Sequence, residues 1–274
     1  MVIGELNRID ELSRVARAAA TAGAEVALGW HARAAELGVR EKTGPRDLVS
    51  QADLDTEQAI RQVLADRRPG DAVLGEEQGR TPGGEDVEWL VDPIDGTTSY
   101  LYGRADWSVS VAARGADGRM LVGAVAEPSY GRLTTAAVDR GTWIGDRRCQ
   151  LSTRSDLREA LIEVNFGRPH DQHPRAGAMV AALLPRVRDL RRGGSAASSL
   201  ANVATGRADA AWSPGLQPWD GAAGIMLVLE AGGIVGDLDG PSEGRWPASG
   251  DVLAAPAGLW EPIRAVLAEV YTRT

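Results

Sequence analysis

The sequence predicts a mixed α and β chain in two halves, an α+β half with antiparallel sheet over residues 1–150 and an α/β half over 151–274. Three observations predict it. The chain opens with apolar residues at helical spacing. Its middle alternates apolar and polar residues around Asp117-Gly118. Past Cys149, short β-type runs alternate with helical ones. No Pro- or Ser-rich linker marks the division, and no internal repeat is visible.

Leu6, Ile9, Leu12, Val15, Ala16, Ala19 and Ala20 recur at spacings of three and four, so a long amphipathic helix is expected over residues 5–37. Gly23 and Gly29 weaken it and leave it free to bend or divide there. Residues 39–49, with Lys42, Thr43, Gly44 and Pro45, lack helical period and read as an extended loop or hairpin. Asp53 opens a second helix as its cap, with Leu54, Ala59, Ile60, Val63 and Leu64 as the apolar face. Asp55 and Glu57 there favour the positive end of the dipole. This helix ends near Arg67-Arg68-Pro69-Gly70. Residues 72–74 form a short strand running into Gly75-Glu76-Glu77, and 89–91 form another. Residues 107–112 and 120–126, parted by Asp117-Gly118, carry a hairpin signature that 133–138 and 142–144 continue. In the second half, 160–164, 176–184, 187–190, 196–204, 208–212 and 220–230 alternate strand and helix patterns.

Hydrophobic residues make up 43% and charged residues 25% of the 274, so composition requires no disordered stretch and allows a sizeable core. The net charge of −8 argues against a nucleic-acid partner, since phosphate backbones are bound by excess Lys and Arg. It does not exclude a small phosphorylated partner, because a bound cation inverts the local sign of an acidic site. Cys149 is the only cysteine, so no disulfide forms within the chain. The opening residues carry Glu5, Asp10, Glu11 and several Arg among their apolar positions, which fits neither a signal peptide nor a membrane span. A cytoplasmic location and no membrane partner are expected.

Residues 89–98 read Trp-Leu-Val-Asp-Pro-Ile-Asp-Gly-Thr-Thr, a strand, a charged corner and a helix start. Asp92 and Asp95 at the end of a buried strand need compensation, because uncompensated buried charge is costly or forces protonation. A divalent cation would supply it. The same residues also suit a solvated turn, since Asp-Pro and Asp-Gly are ordinary turn pairs and Thr-Thr can cap a helix. Glu76 and Asp220 stand at comparable strand-end and helix-start places. Alone, Glu76-Glu77 fits a solvated loop and Asp220 a helix N-cap.

Taken together, Gly75-Glu76-Glu77, the run from Trp89 to Thr98, and Trp219-Asp220-Gly221-Ala222-Ala223-Gly224 with Glu230-Ala231-Gly232-Gly233 resemble the inositol monophosphatase family of Mg²⁺-dependent, lithium-sensitive phosphatases. Asp47-Leu48-Val49-Ser50-Gln51-Ala52-Asp53 resembles the segment before that family's second helix. Arg191-Arg192-Gly193-Gly194-Ser195-Ala196-Ala197 resembles the stretch before its pocket-lining helix. The resemblance covers most of the chain and implies a layered αβαβα sandwich acting as a homodimer. It implies that Glu76, Asp92 and the Ile94 carbonyl hold one Mg²⁺ and that Asp92, Asp95 and Asp220 hold a second, with two or three ions in all. Oxygen-only ligation suits this cation.

The implied chemistry is hydrolysis of a phosphate monoester by in-line attack of a metal-activated water, with Glu76 and the Thr97 hydroxyl orienting it and Asp53 behind Thr97. Gly96 and Thr97 would offer amides to the phosphate. Lys42 resembles a lysine on the family's mobile loop, and a solvated lysine accounts for it as well. Ser195, Ala196 and Ser213 fall on the implied substrate side. Inositol-selective members carry a Glu seven residues before the Trp-Asp aspartate, where this chain has Ser213. Losing that acceptor costs about 1.5–3 kcal/mol of hydrogen bonding to a polyol. Inositol 1-phosphate leads the candidate substrates, with histidinol phosphate, sugar bisphosphates and 3′-nucleotides as alternatives, and a catalytically silent partner-binding role as the reading from another class. Arg168, His170 and Arg175 would meet a second anionic group or form a solvated loop. Cys149, His31, His170 and His173 lack the Gly/Arg phosphate loop that covalent phosphatase chemistry needs, and GxGxxG is absent.

Overall fold

The computed structural model describes residues 3–33, 40–44, 47–167 and 173–272. Helix α1 spans Ile3–His31 without a break. A Cβ at Gly23 would lie 2.7 Å from Ile60 Cγ1. The glycine lets the next helix press against α1, and the helix runs on through it, so the expected division is not found. Strands β1 (Arg40–Gly44) and β2 (Asp47–Val49) pair antiparallel, so the hairpin reading of this stretch holds. Helix α2 spans Gln51–Arg67. Its N-cap is Ser50, and Asp53 sits three residues inside. The Asp53 Oδ2 accepts the Ser50 amide at 2.8 Å and its hydroxyl at 2.7 Å. Asp53 thus closes the helix start from within rather than opening it.

Strands β3 (Asp71–Gly75), β4 (Gly79–Thr81) and β5 (Gly84–Asp95) follow. A short helix α3 spans Thr97–Leu101. Then come β6 (Ser108–Gly115), β7 (Met120–Glu127), β8 (Arg132–Ala137), β9 (Gly141–Ile144) and β10 (Arg147–Arg148). They form one sheet in the order β10-β9-β8-β7-β6-β5-β3-β4. Its pairs are antiparallel apart from β3 with β5. The strand expected at 89–91 is in fact β5, which runs through both acids. Asp92 pairs with Ser110 and Asp95 with Ser108, so four residues face three. This bulge holds Pro93, which has no amide to give the ladder and is tolerated at such a place. The chain turns only at Gly96, with φ of 96°.

The second half supplies β11 (Leu161–Val164), α4 (His173–Leu183), β12 (Asp189–Arg191), α5 (Ala196–Ala204), β13 (Ala210–Ser213) and α6 (Pro218–Glu230). It closes with β14 (Ile234–Asp237), β15 (Gly240–Pro241), β16 (Val252–Ala255) and α7 (Ala257–Thr272). The second sheet runs β12-β11-β13-β16-β14-β15. β11 is parallel to β12 and β13, and the intervening helices supply the long crossovers that parallel strands need; the remaining pairs are antiparallel.

Five layers result: α1 and α2, the first sheet, α5 and α6, the second sheet, then α4 and α7. Each gap holds a core. Leu12, Ile60 and Trp89 fill the first, and Ile162, Leu259 and Ile263 the last. The middle core takes Leu90 and Val125 from the first sheet, Ala211 and Val252 from the second, and Leu200 and Leu227 from the helices between. Full burial of each such aliphatic side chain contributes about 1.5–3 kcal/mol. The two sheets separate close to residue 150, while this middle core belongs to both.

Candidate metal and phosphate site

Glu76 is the first residue of the turn between β3 and β4, where Gly75 pairs with Gly79. Its amide donates to the Val91 carbonyl at 3.1 Å, which fixes the turn to β5. Asp92 stands at the bulge of β5, fully buried, with Oδ1 accepting the Ile94 amide at 3.1 Å. Asp220 arrives from the second half. Gln217 caps α6 and Pro218 occupies its first turn. Asp220 reaches back so that Oδ2 accepts the Gln217 amide at 2.8 Å. The expected N-cap role therefore belongs to Gln217, and Asp220 repeats the inner position that Asp53 holds in α2.

These placements bring carboxylate oxygens of Glu76, Asp92 and Asp220 within 4.8 Å of one another. Three formal negative charges so close in a mostly buried setting call for a cation or for protonation. All three donors are hard oxygens, the set that Mg²⁺ takes. The residues present fit the ion that the sequence implied.

Asp95, 5% exposed, stands outside that trio. Its Oδ2 accepts the Ser195 hydroxyl and the Ala197 amide, each at 2.6 Å. Ser195 is the N-cap of α5, its Oγ also accepting the Ser198 amide at 2.9 Å and lying 2.8 Å from Ser108 Oγ. Ala196 follows, buried, as the first helical residue. Gly194 before them has no room for a side chain, since a Cβ would lie 2.1 Å from both Ser99 Oγ and the Asp106 carbonyl. Thr97, half-buried, donates its hydroxyl to the Ile94 carbonyl at 3.3 Å. Burial, and next the Asp53 carboxylate, push the Tyr100 hydroxyl well above its ordinary range.

On the substrate side, Ser213 is fully buried at the end of β13 and its Oγ accepts the Asn165 side-chain amide at 2.9 Å. Lys42 falls in β1, and its side chain lies outside the described residues. Arg168 and His170 lie outside them too. Arg175 sits 5.8 Å from the Tyr271 ring. His31 packs against Tyr100 and Trp107, with ring centroids 5.0 and 5.4 Å away, and Cys149 is buried. Both have core surroundings.

Two features escaped the sequence reading. Ser110 donates to the Trp219 carbonyl at 3.1 Å, tying β6 to the start of α6, and nothing marks that serine in the sequence. Glu57, expected to face the helix dipole, is fully buried beneath the Glu76 turn. Its spacing of four from Asp53, one turn along the same helix face, was the available signal.

Among the described residues no helix is long and apolar enough to cross a membrane. Residues 8–272 match the model of the inositol monophosphatase family. Over 242 residues the chain is 40% identical to an inositol-1-monophosphatase of Mycobacterium leprae, covering 84% of this chain and 81% of that protein. It is 36% identical over 243 residues to a Nus factor SuhB of Pasteurella multocida, covering 87% and 88%. The extragenic suppressor protein suhB of Bartonella henselae superposes with a TM-score of 0.87 at 33% identity, over 93% of this chain and 97% of that one. The sandwich of two sheets and three helical layers has its counterpart there: the chain belongs to the inositol monophosphatase family, whose members are phosphoric monoester hydrolases.

Proposed function

We propose that this chain hydrolyses a small phosphate monoester with Mg²⁺ bound, inositol 1-phosphate being the first substrate to test. One observation carries the reading: the convergence of Glu76, Asp92 and Asp220 within 4.8 Å. Glu76, Asp92 and the Ile94 carbonyl would hold one ion, and Asp92, Asp95 and Asp220 another. A third ion is left to the count of bound metal. Mg²⁺ supplies charge neutralisation, a water of lowered pKa and stabilisation of the leaving oxygen.

The protein's own part is positional. Glu76, rooted in its turn, and the Thr97 hydroxyl orient the attacking water, with Asp53 behind Thr97. Gly96 and Thr97 present amides to the phosphate, while Ser195 and Ala196 at the head of α5 face the leaving group. Lys42 on the β1–β2 hairpin is a further phosphate contact. Ser213 and Asn165 close the leaving-group side with a neutral pair. This favours leaving groups that need no charged acceptor and leaves histidinol phosphate, sugar bisphosphates and 3′-nucleotides as alternative esters. A cytoplasmic homodimer inhibited by lithium completes the proposal.

The relative named as a Nus factor supports a second reading, a partner-binding role without catalysis. Phosphate release from a panel of these esters, with and without Mg²⁺, decides between them. Metal-dependent release is expected. None from any ester would overturn the enzyme reading.

A further inference from the structure

Resting on the proposal that Glu76 ligates metal, we propose that Glu57 is the positioning residue that sets Glu76 for the ion. The Glu57 side chain is fully buried on α2. Its Oε2 accepts the Glu77 amide at 2.7 Å, and its Oε1 accepts the Gln78 amide at 3.1 Å. One carboxylate thus holds the two amides that follow Glu76, while the amide of Glu76 itself holds the Val91 carbonyl. The turn is fastened on both sides of the ligand.

Arg61, one turn along α2, completes the clamp. Its Nε donates to Glu57 Oε1 at 2.7 Å, its Nη1 to Thr81 Oγ1 at 2.8 Å and its Nη2 to the Gly79 carbonyl at 2.5 Å. The cation neutralises the buried carboxylate and grips the far side of the same turn. Gly75 completes the fit, because a Cβ there would lie 2.3 Å from Glu57 Oε1. A buried ion pair on one face of α2 and a glycine therefore converge on a turn of which Glu76 alone belongs to the acidic trio. Outer partners of this kind fix ligand orientation, and their loss typically lowers metal affinity about 10–100-fold.

The test is Mg²⁺ binding to the full chain by calorimetry, without substrate, for wild type, Glu57→Gln and Gly75→Ala. In Glu57→Gln the side-chain amide sets a donor against donors. In Gly75→Ala the added methyl displaces the Glu57 carboxylate and presses on Arg61 Nη2, 2.8 Å from the new Cβ; Gly75 has no positive φ, so the backbone itself is not strained. Both variants are expected to bind Mg²⁺ about 10–100-fold more weakly. Their Mg²⁺ half-saturation for turnover should rise by a similar factor while substrate KM at saturating Mg²⁺ stays near wild type. A role confined to stability would lower melting temperature and leave the affinity of the folded protein unchanged. Wild-type affinity in a folded variant overturns the positioning role. If Glu57→Gln does not fold, Gly75→Ala decides alone. A wild-type chain that binds no Mg²⁺ overturns the metal reading itself and this proposal with it, a result distinct from equal binding by all three proteins.

Discussion

Ser195 donates its hydroxyl to Oδ2 of Asp95 at 2.6 Å, joining residues one hundred positions apart. The Ala197 amide donates to the same oxygen, so the bulged end of β5 and the first turn of α5 share one carboxylate. Asn at 95 can place its carbonyl where Oδ2 stands and keep both bonds, leaving its NH₂ in the Oδ1 position to repel a cation. Asp95→Asn should therefore fold, at a cost of about 1 kcal/mol or 2–4 °C in Tm. Turnover should fall about a hundredfold or more. Full turnover in the variant would remove Asp95 from the metal site.

The acidic trio predicts stabilisation by its ion. A ligand that binds only the folded state adds about 2.7 kcal/mol at a hundredfold excess over Kd. Mg²⁺ should raise the Tm of the wild type by several degrees and EDTA should return it. Asp92→Asn and Asp220→Asn should show little or no rise, read by differential scanning calorimetry. An equal rise in all three would mean that Mg²⁺ acts elsewhere.

The helices and the hairpin around Asp117-Gly118 were legible because one face of each is buried, which writes a period into the sequence. Of the four acids expected at element ends, Glu76, Asp92 and Asp220 meet in one cluster and Asp95 stands outside it. What that pattern does not carry is direction. Asp53 and Asp220 look like N-caps because caps and inner capping-box acids lie within three residues of each other, and only the backbone path separates them. Pro93 hides the continuation of β5, since a bulge and a turn use the same residues. Strands β14 to β16 and α7 had no chemistry to draw attention to them. Glu57 was misplaced because a buried charge is recognised by its partners, and those lie about twenty residues away in the chain.

Glu163 predicts a pH effect on stability. Burial pushes its carboxyl above the ordinary value of 4.5, although Ser199 and Asn202 donate to it at 2.8 and 2.7 Å. A raised folded pKa means that the contribution to stability is complete below 4.5 and is lost as pH rises through the folded value. Glu163→Gln has no proton to lose. The Tm difference between variant and wild type should be constant in acid and should move in the variant's favour as pH rises from 4.5 towards neutrality. A difference independent of pH would show that Glu163 ionises as freely folded as unfolded.

Substrate preference turns on residue 213. Ser213 and Asn165 form a neutral, buried pair, with the amide nitrogen of Asn165 as donor. Ser213→Glu keeps an acceptor for that donor and adds a charge able to receive polyol hydroxyls, a gain of about 1.5–3 kcal/mol where the geometry is met. The ratio of kcat/KM for inositol 1-phosphate over histidinol phosphate should rise about tenfold or more. The Mg²⁺ dependence should stay as in the wild type, because the trio is untouched. A ratio that does not move, in a variant that folds and keeps its metal dependence, would show that residue 213 does not face the leaving group.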